Sequence, residues 1–245
     1  AKAFVAWLDA QAAVDKKRGK VWSKCSRAIM AAARGGGPDP ATNLSLRYAI
    51  DEARYANMPK ETIQRAIDKG AGTAGGEDFV AITYEGYGPG GVALIIEAMT
   101  DNKNRTVGEI RHMLTKYGGD LGQSNSVAWM FEKKGYIVIE KAKATEDTLL
   151  SAALDAGADD LRDDGDNWEV VSAPETFPAV KEAVEKLGIQ AESAQVAMLP
   201  KNFVSLEGRA AQSMLKLLDL LEDHDDVQHV WSNMDVDEKE LEAFA

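Results

Sequence analysis

Lys17, Lys20, Lys24, Arg27 and Arg34 recur at spacings of three, four and seven residues within one acid-free stretch. On a helix running from Asp15 to Arg34, advancing 100° per residue, they occupy about one third of the circumference. Lys16 joins that arc, while Val21, Trp22, Cys25, Ala28, Ile29 and Ala32 take the other side. Cations repeated once per turn can each neutralise a phosphate, giving salt-sensitive and sequence-independent affinity for a polyanion. Ordinary solvated helix faces mix the two signs; this one does not.

The rest of the chain sharpens the contrast. Residues 1–75 hold 13 Lys/Arg against 7 Asp/Glu, a net of +6; residues 76–245 hold 15 against 33, a net of −18. The sum is the −12 of the whole chain. This asymmetry suggests a small cationic head that meets phosphates and anionic bodies that stay off them.

No catalytic constellation stands beside the basic stripe. Gly86 to Gly91 lacks the Lys-Ser/Thr of a phosphate loop and reads as a hairpin turn. His224 and His229, five apart among acids, would point to opposite faces of a strand rather than converge on a metal. The Asp159–Asp166 cluster lacks the glycine and glutamate placement of a calcium loop. His112 has no Ser or Cys partner to complete a nucleophilic triad. No enzyme, cofactor, metal or small-molecule substrate is therefore expected. Arg105 and Arg111, near the start of a helix, are further candidates for phosphate, with pairing to acids such as Glu109 as the alternative.

Three groups of elements must position these residues. Residues 1–75 read as an all-helical domain. A second helix carries Leu46, Ala49, Ile50 and Ala53 inward, and a third, opened by Pro59, carries Ile63, Ala66 and Ile67 and ends at Gly70. Residues 70–76, rich in glycine, read as a flexible linker. Strands follow at Phe79–Glu85 and Val92–Met99, then a helix at Thr106–Lys116 and strands at Ser126–Glu132 and Tyr136–Glu140. Residues 136–198 run β-α-β-β-α-β if a short strand lies near Asp159–Arg162, the ferredoxin-like order. A helix at Gly208–Glu222 and a strand at Val227–Ser232 are too small to fold alone and should complete the earlier sheet. The expected class is α+β multidomain: an N-terminal helical domain (1–75), a discontinuous α/β domain (76–134 with 203–245) and a ferredoxin-like α/β domain (135–202).

With 45% hydrophobic and 28% charged residues the composition is that of a globular protein. The single cysteine, Cys25, excludes an internal disulfide framework and suits a reducing compartment. No run reaches the length of a membrane span, and Ala3–Leu8 is too short for a secretory signal. Cytoplasmic location is the default expectation, with a mitochondrial matrix protein trimmed of its transit peptide as the alternative.

Four motifs add a resemblance: Tyr84-Glu-Gly-Tyr-Gly-Pro-Gly-Gly-Val-Ala93, Glu97-Ala-Met-Thr-Asp-Asn-Lys-Asn-Arg-Thr106, Lys116-Tyr-Gly-Gly-Asp-Leu-Gly122 and Ser126-Val-Ala-Trp-Met-Phe-Glu-Lys-Lys-Gly135. With Lys17-Arg-Gly-Lys20 and Asn57-Met-Pro-Lys60 upstream, the chain over roughly residues 14–235 closely resembles the YebC/PmpR family. The resemblance implies three domains and a non-enzymatic role in gene expression. Bacterial members are described as DNA-binding transcriptional regulators, while mitochondrial and some bacterial members act on translation at the ribosome. Members usually begin with a strongly basic segment, whereas Ala1–Gln11 here carries only Lys2 against Asp9. The candidate contacts are then Lys16, Lys17, Arg18, Lys20, Lys24, Arg27, Arg34, Arg105 and Arg111, and the candidate partners are DNA or ribosomal RNA, in the latter case within the ribosome. A protein–protein adaptor, with the basic helix as a solubility face, is the reading from a different class.

Overall fold

In the computed structural model, which describes residues 18–72 and 79–244, Arg18–Gly36 forms helix α1. Helices α2 (Leu44–Tyr55) and α3 (Lys60–Gly70) pack against it. Asn43 caps α2 by accepting from Leu46 N–H, and Pro59 stands immediately before α3. The three helices close on Cys25, Ile29, Leu46, Ile50, Ala53, Ile63 and Ile67, all from within the bundle. These are the positions that helical spacing assigns inward. Gly70 is dictated by packing: a Cβ there would lie 2.4 Å from Met30 O on α1.

Strands β1 (Val80–Tyr87) and β2 (Ala93–Thr100) form the expected hairpin around Pro89–Gly91, where Gly90 takes φ +73°. Helix α4 (Lys103–Lys116) begins three residues before the expected Thr106, because the Asn102 side chain accepts from Arg105 N–H and caps it there. Strand β3 is Asp120–Leu121.

One expectation fails at this point. Of the expected strand Ser126–Glu132 only Phe131 and Glu132 are extended; Ser126–Met130 is a turn, and a single strand β4 spans Phe131–Glu140. The cause is Glu85. Its buried carboxylate accepts from the N–H groups of Asn125, Val127 and Ala128 at 2.7, 2.8 and 2.8 Å. Three amides aimed at one carboxylate curl the backbone, whereas a strand would send them alternately to opposite sides. Burial alone would raise the Glu85 carboxyl, but these hydrogen bonds outweigh it and hold the group below the usual carboxylate range.

After β4 come α5 (Glu146–Asp155), β5 (Ala158–Asp164), β6 (Asn167–Ser172), α6 (Phe177–Lys186) and β7 (Ser193–Pro200). Their antiparallel sheet has the order β5-β6-β4-β7, which is the ferredoxin-like arrangement. The short strand required near Asp159–Arg162 is β5. Phe131–Lys201 constitutes one compact unit.

The second unit unites the described residues through Met130 with those from Asn202 onward. It adds β8 (Val204–Leu206), α7 (Gly208–Glu222), β9 (Val227–Ser232), β10 (Met234–Val236) and α8 (Glu238–Phe244). Strand β9 pairs antiparallel with β2, completing a sheet of order β3-β1-β2-β9, and β10 pairs parallel with β8. The C-terminal segment thus returns to the earlier sheet. Helix α7 buries Met214, Leu215, Leu217, Leu218 and Leu221 and packs against α4. Among the described residues, no helix is long and apolar enough to cross a membrane.

Candidate nucleic-acid interface

The cationic face of α1 meets the turn between α7 and β9, Glu222–Asp226. Lys20 Nζ lies 3.0 Å from Asp223 Oδ2 and 3.3 Å from Asp223 O. Lys24 Nζ donates to Glu222 O. The Arg27 guanidinium donates to Asp225 O, lies 3.5 Å from Asp226 Oδ1, and stands over the Phe79 ring at 5.3 Å. The separation of sign expected from the sequence therefore does not hold in the fold. An acidic turn about two hundred residues downstream lies on the stripe, because antiparallel pairing of β9 with β2 carries it there.

Asp226 is the centre of this arrangement. It is buried, and its Oδ2 accepts from Thr106 Oγ1 at 2.7 Å, Arg105 NH2 at 2.8 Å and Thr100 Oγ1 at 3.2 Å. Burial would raise its carboxyl; hydrogen bonds from Arg105 and Thr106, the Arg105 charge and Thr100 outweigh that and hold it below the ordinary range. Arg105 also reaches Asp101 Oδ1 at 2.8 Å. Its partners are thus Asp101 and Asp226, while Glu109 takes His224 instead, at 2.8 Å. His224 Nδ1 accepts from Asp226 N–H, which leaves Nε2 to donate to Glu109.

Lys20, Arg27 and Arg105, from two separate elements, line one open cleft of about 800 Å³ with Phe79, Gly108 and His112. Five acids share that wall: Asp101, Glu109, Asp223, Asp225 and Asp226. Arg34 is exposed in the last turn of α1 and Arg111 is exposed on α4; neither lines the cleft. Lys16 and Lys17 lie outside the described residues, as does the side chain of Arg18 and most of the 70–76 linker.

A second polar contact joins the bundle to the sheet. His229 Nε2 on β9 lies 3.4 Å from Glu52 Oε1 on α2, and its ring stacks on Trp231 with centroids 5.3 Å apart. Burial would lower the imidazole, but the charge and hydrogen bond of Glu52, with Glu97 and Glu222 nearby, push it up to about 9. Cys25 is buried and its thiol is pushed up to about 12 by burial, with Glu52 adding to the effect, so it is an inert core residue. Among the described residues no three metal-ligating side chains gather. Sequence reasoning missed Asp226, Thr100, Thr106 and the Glu52–His229 pair. Acidity of the 222–226 run was the one visible signal, and nothing in its spacing ties it to residues 20–27.

Comparison with known proteins accounts for nearly the whole chain. The TACO1/YebC N-terminal domain family matches residues 9–73, and the TACO1/YebC second and third domain family matches 79–234. A probable transcriptional regulatory protein of Koribacter versatilis is 52% identical over 233 residues, covering 95% of this chain and 94% of the relative. Another so named, from Geobacter sulfurreducens, is 50% identical over 232 residues, covering 95% and 94%. The crystal structure of a conserved hypothetical protein of Aquifex aeolicus superposes with a TM-score of 0.81 at 46% identity, covering 93% of this chain and 94% of that one.

Proposed function

The chain belongs to the TACO1/YebC family, and from that premise we propose that it is a non-enzymatic regulator of gene expression whose α1 face and Arg105 contact the phosphates of nucleic acid. The observation that carries this reading is the identity of the atoms already on that face. Lys20, Lys24 and Arg27 each hold a carbonyl or carboxylate oxygen, the acceptors of Glu222, Asp223, Asp225 and Asp226. Phosphate oxygens are acceptors of the same kind, so a row of cations that grips one series of oxygens is built to grip the other. Relatives named probable transcriptional regulatory proteins support duplex DNA as the first partner.

A second reading, ribosomal RNA, is favoured by the charge distribution. Apart from Arg105, the cations belong to one small bundle while the whole chain carries −12. An acidic protein cannot lie along a duplex over its full length, but it can dock one basic bundle into a crevice of the ribosome. Protein–protein adaptation, the third reading, leaves the cationic row as a solubility face that also clasps the Glu222–Asp226 turn.

The test has two arms: a mobility shift with duplex DNA, and co-sedimentation with ribosomes followed by salt release. Binding to the duplex supports transcription and salt-released co-sedimentation supports translation. Failure of both arms contradicts the reading.

A further inference from the structure

We propose that the Glu222–Asp226 turn is a built-in competitor for the cationic face of α1, an intramolecular stand-in for phosphate that nucleic acid must displace. The inference rests on the nucleic-acid reading above and adds regulation to the same face.

Three features of the fold carry it. First, the oxygens of the turn already hold donors of Lys20, Lys24 and Arg27, so a phosphate backbone and the turn compete for the same three cations. Second, the bundle does not depend on the turn for its fold. Its apolar core, with the partly buried Trp22, Ala28, Met30, Ala32 and Ala56 packed against it, is drawn from bundle residues alone. The turn is fixed from its other side, by Thr100, Thr106 and Arg105 on Asp226 and by Met99 N–H donating to Asp226 O. Each partner can therefore keep its structure when the two separate. Third, the outermost pair of the contact is weak, although Arg27 reaches the buried Asp226. Lys20 and Asp223 are 48% and 38% exposed, and exposed pairs of this kind are screened by salt. A polyanion gains in addition from the counterions it releases, a term that the short turn lacks.

The resulting device sets a threshold. A single stray anion does not open it, because the turn presents several oxygens at once; a run of phosphates does. The Glu52–His229 pair closes the same joint from the α2 side, with Glu52 close enough to Lys24 to feel its charge. Neither residue is a cation of the row, so the joint can be locked there without replacing a proposed contact.

The experiment measures the affinity of the full chain for fluorescein-labelled duplex DNA and for labelled ribosomal RNA at one fixed low salt concentration. Asp223→Asn weakens the latch and should tighten binding by about two- to fivefold relative to Asp155→Asn, an exposed, charge-matched control in the other unit. In a second arm, Glu52→Cys and His229→Cys are joined by a short, cleavable thiol cross-linker; Cys25, buried with its thiol pushed up to about 12, does not compete for the reagent. Joining should weaken binding and cleavage of the linker should restore it. Asp223→Asn binding no tighter than the control, or a cross-link without effect, overturns the latch. Failure of the underlying reading looks different: charge reversal of Lys20, Lys24 and Arg27 would then leave binding intact, whatever the latch variants do.

Discussion

Arg27 and Arg105 take opposite oxygens of a single carboxylate, with Arg27 NH1 3.5 Å from Asp226 Oδ1 and Arg105 NH2 2.8 Å from Asp226 Oδ2. Two cations, one from α1 and one from α4, are thereby held at one buried acid. Hydrogen bonds to charged groups contribute about 1.5–3 kcal/mol each, and a buried charge left unpaired costs more than the pair contributes.

Asp226→Asn should therefore destabilise the fold by about 1–3 kcal/mol in urea denaturation, with two arginines losing their shared partner. The pH dependence has a definite sign. The folded-state Asp226 carboxyl lies below its unfolded value, so its stabilisation is present above about pH 4 and is lost as pH falls through the folded value. Wild type and Asp226→Asn should differ by a constant amount near neutrality and converge in acid.

Glu85→Gln tests the turn that replaces the expected strand. The amide keeps the size but turns one acceptor into a donor facing backbone N–H groups. A loss of about 1–3 kcal/mol of stability, read as a lowered urea midpoint at unchanged slope, is the expected outcome.

For His229 the direction is the reverse of Asp226. Its folded value is raised to about 9, so the contribution of the Glu52 pair is complete below about pH 6.5 and disappears as pH rises through 9. An NMR titration of the imidazole should show a midpoint well above 6.5 that falls toward it in Glu52→Gln.

Two glycines should respond oppositely to alanine. At Gly70 the new methyl would meet Met30 O at 2.4 Å, forcing α3 away from α1 at a cost of about 1–3 kcal/mol. At Gly108, mid-helix in α4, no heavy atom stands within 4 Å, so Gly108→Ala should stabilise by about 0.5–1 kcal/mol. Thermal melts of the two variants should shift to opposite sides of the wild-type Tm.

Local and periodic features of this fold were legible in the sequence; contacts between distant charged residues were not. Leu46, Ala49, Ile50 and Ala53 announce their buried face because 3.6-residue spacing depends only on neighbours. The β-α-β-β-α-β order of the ferredoxin-like unit follows from the same kind of signal, and even the polar strand β5 was required by it. Ser126–Met130 looks like a strand by composition and is a turn because a side chain forty residues earlier captures its amides. The cationic stripe itself was legible, but its engagement by Asp223 was not. Charge counts give the sign of a segment, whereas strand pairing decides which segments meet.

Phosphate contact by the cationic face of α1 is tested most directly by the salt dependence of nucleic-acid affinity, compared between the wild type and a Lys20→Ala, Lys24→Ala, Arg27→Ala variant. Log affinity for duplex DNA should fall linearly with log salt, by about 0.9 per phosphate neutralised, and the triple variant should show a slope shallower by about two to three. Equal slopes for the two proteins would contradict the assignment of phosphate contact to this face of α1.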